Sequence, residues 1–274
     1  MIYFIKFIIG LVASSIISYI GYKKHALTLN GCIGAIILGT GIFFSSHFYG
    51  SFLIVIFFTT STIFTFIKEN IKKELNNKYE KNSGRDFFQV FANGGVGLFY
   101  SFIYYFTSNP IYLVLIGVSF SAPNADTWAS ELGVLSKNNP ISIRTFKKVS
   151  KGTSGAISFL GIIFSLLGSI IIALSSVITI LILKLEIYSL SLYEIFFLIS
   201  LGGFLGSVID SLLGATAQGI YYNDILKIET EKPFYKEKPN TLIRGYKIFN
   251  NDFVNFISIL LSTIIIYFLY NFMT

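Results

Sequence analysis

Apolar residues fill this chain in long runs separated by short polar segments. The runs lie near 2–21, 29–46, 48–67, 87–107, 110–134, 154–183, 192–219 and 252–272. Each is long enough, or nearly so, to cross a hydrocarbon core about 30 Å thick as a helix of about 20 residues. The pattern predicts an all-α fold, a polytopic transmembrane helical bundle of about eight helices forming one membrane domain over residues 1–274. The run at 29–46 is short and Gly-rich, and its boundary with the next, around Ser45–His47, is the least defined; if the two join, the count is seven. Only Lys6 precedes the middle of the first run and no small-x-small cleavage site follows it, so it reads as an uncleaved helix rather than a signal peptide.

Composition agrees with the pattern. The 274 residues are 53% hydrophobic, with a mean hydropathy of +0.69, values of a membrane protein rather than a soluble domain. Cys32 is the one cysteine and lies inside an apolar run, so there is no disulfide framework. Two histidines and one cysteine offer neither a zinc set nor a Ser-His-Asp triad. His25 and His47 read as loop or interface residues, and Trp128 as an interfacial anchor.

Charge orients the helices. Of the 21 basic residues, all but Lys6 and Lys184 fall in alternate loops. Lys23 and Lys24 lie in the first of these, and Lys68, Lys72, Lys73, Lys78, Lys81 and Arg85 in the segment 68–86. Lys137, Arg144, Lys147, Lys148 and Lys151 lie in 135–153, and Lys227, Lys232, Lys236, Lys238, Arg244 and Lys247 in 220–250. The positive-inside rule makes these loops cytoplasmic and both termini non-cytoplasmic. The net charge of +7 then marks a cytoplasmic membrane face, with no nucleic acid needed to explain it.

On that side the polar residues of the apolar runs gather. Arg85, Gln89 and Asn93 repeat every fourth position and share a helix face, as do Gly202, Gly206, Asp210, Gly214 and Gln218, and Asn251 with Asn255. Asp126, Ser130 and Glu131 end the 110–134 run just after Asn124 and Pro123, whose ring should kink the helix. Simpler readings stand beside a functional one. The glycines permit close helix packing, the asparagines serve as interhelical hydrogen-bond partners, the basic residues only set topology, and Asn251 or Asp252 caps a helix. Asp126 and Asp210 resist such readings, because carboxylates at membrane depth are costly and neither has a basic neighbour one helical turn away. The segment Lys151-Gly152-Thr153-Ser154-Gly155 opens the next apolar run. It reads either as an N-cap at Thr153 or Ser154 or as a nest of backbone N–H groups for a phosphate, with Lys147, Lys148 and Lys151 neutralising its charge. No Walker loop or GxGxxG occurs.

The stretches ANGG (92–95), ADTWASELG (125–133), KKVSKGTSG (147–155), GSVIDSLLGATAQ (206–218) and NNDFVNFIS (250–258) resemble the integral membrane family that includes transmembrane protein 19 and the plant phytyl-phosphate kinase. The match runs from about Thr28 to the last helix. More distantly, the chain is similar to CTP-using polyprenol kinases and CDP-diacylglycerol synthases, in which an Asp-x-x-Ala helix precedes a Lys-containing, Gly-rich turn. Asp126, Ala129 and Gly133 keep the Asp-to-Ala spacing with a Gly seven residues on.

The resemblance implies phosphorylation of an isoprenoid monophosphate to its diphosphate, with CTP or another nucleoside triphosphate as donor, Mg²⁺ as cofactor, and a site facing the cytoplasm from the cell membrane. In that reading Asp126, Asp210 and Glu131 hold the metal, and Lys148 joins them in catalysis. Lys151 and Gly152, Thr153, Ser154 and Gly155 cradle the donor phosphates. Arg85 or Arg144 clamps the acceptor phosphate, with Gln89, Asn93, Asn124, Ser130, Gln218, Asn251 and Asn255 as further polar contacts. A prenyl-alcohol kinase or lipid cytidylyltransferase needs the same groups, and a transporter would also carry intramembrane acids, though nearer the bilayer midplane. Topology is checked directly. Cysteines placed singly at 138 and 236 should react with a membrane-impermeant thiol reagent only when the cytoplasmic face is open, and a tag after Thr274 should be reached from outside.

Overall fold

The computed structural model of the protein describes residues 1–67, 84–187 and 190–274. The lysines expected at 68–81 lie outside the described residues. Seven helices are described: α1 (Ile2–Lys23), α2 (Leu29–Phe66), α3 (Phe87–Thr107), α4 (Ile111–Gly133), α5 (Phe159–Leu183), α6 (Leu192–Thr216) and α7 (Asn251–Met273). By length and composition α1, α2, α5, α6 and α7 are apolar enough to cross a membrane.

The 38 residues of α2 would extend about 57 Å as one straight helix, far beyond a hydrocarbon core. They do not run straight. His47 leaves helical geometry at φ 50° and ψ −137°, and both ends of α2 return to Arg85. The Thr28 N–H at one end donates to the Arg85 carbonyl (3.0 Å), while the Arg85 guanidinium donates to Thr62 Oγ1 (3.2 Å) near the other. The segment therefore doubles back at His47, within the boundary expected from the sequence, and its halves correspond to the runs 29–46 and 48–67.

α4 is the axis of the bundle. From Ile111 to Ala125 every position except Tyr112 is buried, and α2, α3, α7, α6 and α5 surround it in that order, with α1 outside against α2. A helix enclosed on every side needs small neighbours. A Cβ on Gly203 would stand 1.9 Å from Ser121 Oγ, one on Gly206 2.3 Å from the Ala122 Cβ, and one on Gly168 3.0 Å from the Ala125 Cα. The glycine stripe of 202–214 is thus packing material, as its simpler reading proposes, and close packing is what brings Asp210 to the same end as Asp126. Hydrogen bonds add to it: Tyr49 Oη donates to the Leu113 carbonyl (2.7 Å) and contacts Ser176 Oγ (2.6 Å).

Several boundaries differ from expectation. α5 begins at Phe159 with Ser158 as its N-cap, the hydroxyl accepting from Gly161 N–H (3.0 Å), so neither Thr153 nor Ser154 caps it. Residues 154–157 instead form a turn and a short strand, because Ile143 N–H donates to the Gly155 carbonyl (3.1 Å) and β1 (Ile141–Ser142) pairs antiparallel with β2 (Ala156–Ile157). α6 stops at Thr216, leaving Gln218 beyond the helix. The 220–250 segment is more than a connecting loop. β3 (Ile220–Asn223) pairs with β4 (Ile228–Thr230) on one side, and beyond β5 (Phe234–Tyr235) and β6 (Lys238–Pro239), which pair with each other, β7 (Thr241–Arg244) closes its other side. α4 continues through Pro123.

Both termini lie at the end opposite these turns: Lys6 Nζ near the start of α1 sits 3.0 Å from His47 Nε2 at the hairpin of α2, and α7 runs from Asn251 away from the cavity end to Met273. Replacing Gly206 by Val should lower stability by about 1–3 kcal/mol through overpacking, seen as a lower melting temperature in detergent. Gly95→Ala, whose Cβ meets nothing nearer than 3.9 Å, should be neutral or stabilising by about 0.5–1 kcal/mol.

Candidate active site

At the end of the bundle where α4 loses its enclosure, the helices part around a cavity of about 790 Å³. That is within the usual range for small-molecule sites. Each wall is built from a local sequence signal. On α3, Asp86 and Gln89 form a reciprocal capping box, Gln89 N–H donating to Asp86 Oδ1 (2.9 Å). This fixes the helix start so that Gln89 and Asn93, one turn apart, both line the cavity. On α7 the N-cap is Asn250, its Oδ1 accepting from Phe253 N–H (2.8 Å). That releases Asn251, Asp252 and Asn255 to line the cavity, and corrects the reading of Asn251 or Asp252 as the cap.

The carboxylates arrive from separate helices. Asp126, Ser130 and Glu131 come from the last turns of α4, and Asp210 from α6. Glu131 is buried and accepts from Thr65 Oγ1 (3.2 Å). Asp210 accepts from Ser258 Oγ of α7 (3.2 Å). Arg85 is held by its backbone, its N–H donating to the Ala26 carbonyl (2.9 Å), and its guanidinium lies 5.7 Å from the Phe58 ring centre. Burial lowers its pKa from the ordinary value and the Glu131 carboxylate draws it back up, so it stays a cation.

The Gly-rich turn forms the opposite wall. Lys151, Gly152, Thr153, Ser154 and Gly155 all line the cavity. Gly152 and Gly155 have φ of +79° and +73°, the left-handed region that side chains disfavour, and a Cβ on Gly155 would lie 2.4 Å from the Ala215 backbone nitrogen. Glycine is therefore required twice over at 155, and the turn is pressed onto the C-terminal end of α6. Ser154 Oγ fastens it there, within donating distance of Gln218 Oε1 (2.5 Å) and the Gly214 carbonyl (3.2 Å). Lys151 Nζ donates to the Ser136 carbonyl. The turn is thus not a helix N-terminus, and any anion affinity comes from its own amides and Lys151.

Most of the candidate site residues from the sequence converge here; Lys147, Lys148, Arg144 and Asn124 do not. Lys148 and Arg144 are exposed and line no part of this cavity, because the β1–β2 hairpin directs its polar connection outward. Asn124 is fully buried, its Nδ2 donating to the Gly168 carbonyl (2.7 Å) and its Oδ1 accepting from Thr60 Oγ1 (2.9 Å); it ties three helices together and is a packing residue. Trp128 likewise donates from Nε1 to Thr60 Oγ1 (3.3 Å) and stands edge-on to Phe64 of α2. Sequence reasoning missed His25, Thr62, Thr65, Ser165, Ser207 and Glu231, all at the cavity. Thr62 and Thr65 carry a polar i, i+3 spacing that could have been noticed, whereas His25 and Glu231 come from turns with no periodicity.

Among the described residues no group of three or more His, Cys, Asp or Glu side chains is close enough together to hold a metal ion, so Asp126, Glu131 and Asp210 do not make a closed three-ligand cage. Carboxylates facing one polar cavity do fit Mg²⁺, which is commonly bound through one or two carboxylates with substrate phosphates completing its shell.

Known proteins place the chain. Residues 12–263 match the family model described as integral membrane protein DUF92. The chain is 32% identical to Protein PGR of Arabidopsis thaliana, covering 94% of each. It is 28% identical to the uncharacterized membrane protein MJ0933 of Methanocaldococcus jannaschii, covering 80% of this chain and 87% of that one. No solved structure matches. The model match over nearly the whole length, together with the similarity to Protein PGR, shows that this chain belongs to the integral membrane protein DUF92 family.

Proposed function

We propose that the protein is a membrane-embedded kinase of isoprenoid monophosphates, acting from the cytoplasmic face of the cell membrane with CTP or another nucleoside triphosphate and Mg²⁺. The observation carrying this reading is the meeting of Asp126, Asp210, Arg85 and the Lys151–Gly155 turn around one cavity. Phosphoryl transfer asks for positioning and charge neutralisation more than covalent help, and that is what these groups offer.

An oxygen of the acceptor phosphate attacks the terminal phosphorus of the donor, the bond to the nucleoside diphosphate breaks, and that diphosphate leaves with the electron pair. Asp126 and Asp210 would hold magnesium, which would neutralise phosphate charge, with Glu131 as a nearby acceptor. Lys151 and the amides of the glycine turn hold the donor phosphates. Arg85, stiffened by backbone bonds on both sides, grips the acceptor phosphate through its planar fork. The acceptor is already anionic, so no strong general base is required. Ile162, Phe204 and Val208 give the cavity an apolar wall between α5 and α6, suited to the start of a prenyl tail.

The buried packing of α4 between Ile111 and Ala125 confines the carboxylates to one end of the bundle, which favours an enzyme over a carrier with acids midway between two openings. Purified protein given prenyl monophosphates, Mg²⁺ and each nucleoside triphosphate should form the prenyl diphosphate and release nucleoside diphosphate. Release of pyrophosphate would identify a cytidylyltransferase instead, and no product with any donor would refute both. Asp126→Asn and Asp210→Asn should each lower kcat/KM by about 100-fold or more, about 2.7 kcal/mol of transition-state stabilisation, with little change in melting temperature. Gly155→Ala should move the turn off Ala215 and raise the KM for the nucleotide at least about 10-fold, measured in the same assay.

A further inference from the structure

The glycine turn has a cavity on each side. Its second face, with Gly152, Thr153 and Ser154 as the shared wall, borders a smaller cavity of about 230 Å³, closed by the three-stranded sheet through Ile220, Ile228, Thr230 and Arg244. Glu231 lines both cavities. The 220–250 segment, which the transfer chemistry above does not use, thus builds a roof over the back of the turn.

The chemistry of the two sides differs. The large cavity carries Arg85 and Lys151 together with the α4 and α6 carboxylates. The small one has aliphatic walls in Ile220 and Ile228, hydroxyls in Ser150 and Thr153, and two cations, Lys227 and Arg244, against two carboxylates, Glu229 and Glu231. Arg244 donates through Nη2 to the Gly214 carbonyl (3.3 Å), so it grips the same turn of α6 that receives Ser154. Glu229 and Glu231 interact with it electrostatically, against Arg144. Its Nε–H is buried and has no hydrogen-bond partner, a costly state for a charged donor, while Arg244 as a residue borders the cavity. The two carboxylates offset the two cations, so the cavity offers a second polyanion no net positive charge, while aliphatic walls and hydroxyls suit a flat, uncharged, carbonyl-bearing ring.

We infer that this small cavity seats the nucleoside of the phosphate donor, with the triphosphate bending over the Gly152–Ser154 edge into the large cavity. This rests on the kinase reading and adds to it a division of labour. The turn separates base from phosphates, Ile220 and Ile228 flank the base, and Arg244 borders the base or ribose. The small sheet is then the element that distinguishes a nucleoside triphosphate from a bare polyphosphate.

The test compares ligands with and without a nucleoside. Titration calorimetry on the full-length protein in detergent, with Mg²⁺, would use CTP, ATP and inorganic tripolyphosphate. Ile228→Trp fills the small cavity from outside the helices that carry Asp126 and Asp210, and Arg244→Lys keeps the charge while removing the planar guanidinium. Ile228→Trp should weaken the better-bound nucleotide at least 10-fold and Arg244→Lys at least 3-fold, while tripolyphosphate binds as to the unaltered protein. If either nucleotide and tripolyphosphate weaken together, or neither changes, the nucleoside does not sit here and the inference is overturned. Formation of prenyl diphosphate by the unaltered protein is scored separately, so loss of this assignment leaves the kinase reading standing, and absence of product from the unaltered protein counts against that reading alone.

Discussion

Everything at the cavity depends on the enclosure of α4. A helix packed on all sides for fifteen residues can be matched only by neighbours that give up side-chain volume, and Gly168, Gly203 and Gly206 do so against Ala125, Ser121 and Ala122. Dense packing of this kind is intolerant of added atoms, so the axial position and rotation of α4 relative to α5 and α6 are set within narrow limits. Those limits are inherited by Asp126 and Glu131, which follow directly on the packed stretch, and by Asp210, one turn beyond Gly206. In a bilayer, where apolar contact with lipid competes with contact between helices, small-residue faces and interhelical hydrogen bonds supply what the hydrophobic effect supplies in water. The bonds from Tyr49 to Leu113 and from Asn124 to Gly168 belong to that second set.

The enclosure ends abruptly, and the reason is geometric. Past Ala125 the α4 side chains become polar and larger, α5 has not yet begun, and the intervening chain folds into a hairpin and a glycine turn instead of extending the helix. That turn then occupies the room a longer α5 would have filled and docks on Gly214 and Ala215. One consequence is a cavity whose walls are rigid helix ends on three sides and a backbone turn on the fourth. Preorganised donors in such a setting need no rearrangement when charge arrives, which in the proposed kinase would be the largest single contribution to catalysis.

Charge is distributed in keeping with that role. Arg85 and Lys151 face the cavity, while Lys147, Lys148 and Arg144 remain outside on the same end of the molecule. The outer cations line no part of the cavity, but they raise the local potential and would draw the proposed phosphate ligand toward the opening, an effect that weakens with ionic strength. In the proposed reading the lysine-rich end of the bundle would combine two functions that composition alone cannot separate, orienting the protein in its membrane and attracting its ligand.

Much of this was legible in the chain itself. The length of the apolar runs fixed the number and approximate limits of the helices, including the reversal near His47, because crossing a bilayer imposes a length that chance does not produce. Alternation of charge between loops placed the polar ends together, and fourfold spacing put Gln89 with Asn93, and Gly206 with Asp210, on shared faces. Motif resemblance gave the family. What the sequence could not convey is contact between segments distant along the chain. Asn124 and Asp126 are two residues apart and equally polar, yet rotation of α4 by two positions turns one into a seam and the other into a cavity. Lys148 and Lys151 belong to one motif, but hairpin pairing of Ile141 with Ile157 turns Lys148 outward and leaves Lys151 at the cavity. The small sheet over the back of the turn has strands of three to four residues, too short for periodicity to register, so its closure on the glycine turn was decided by tertiary packing alone.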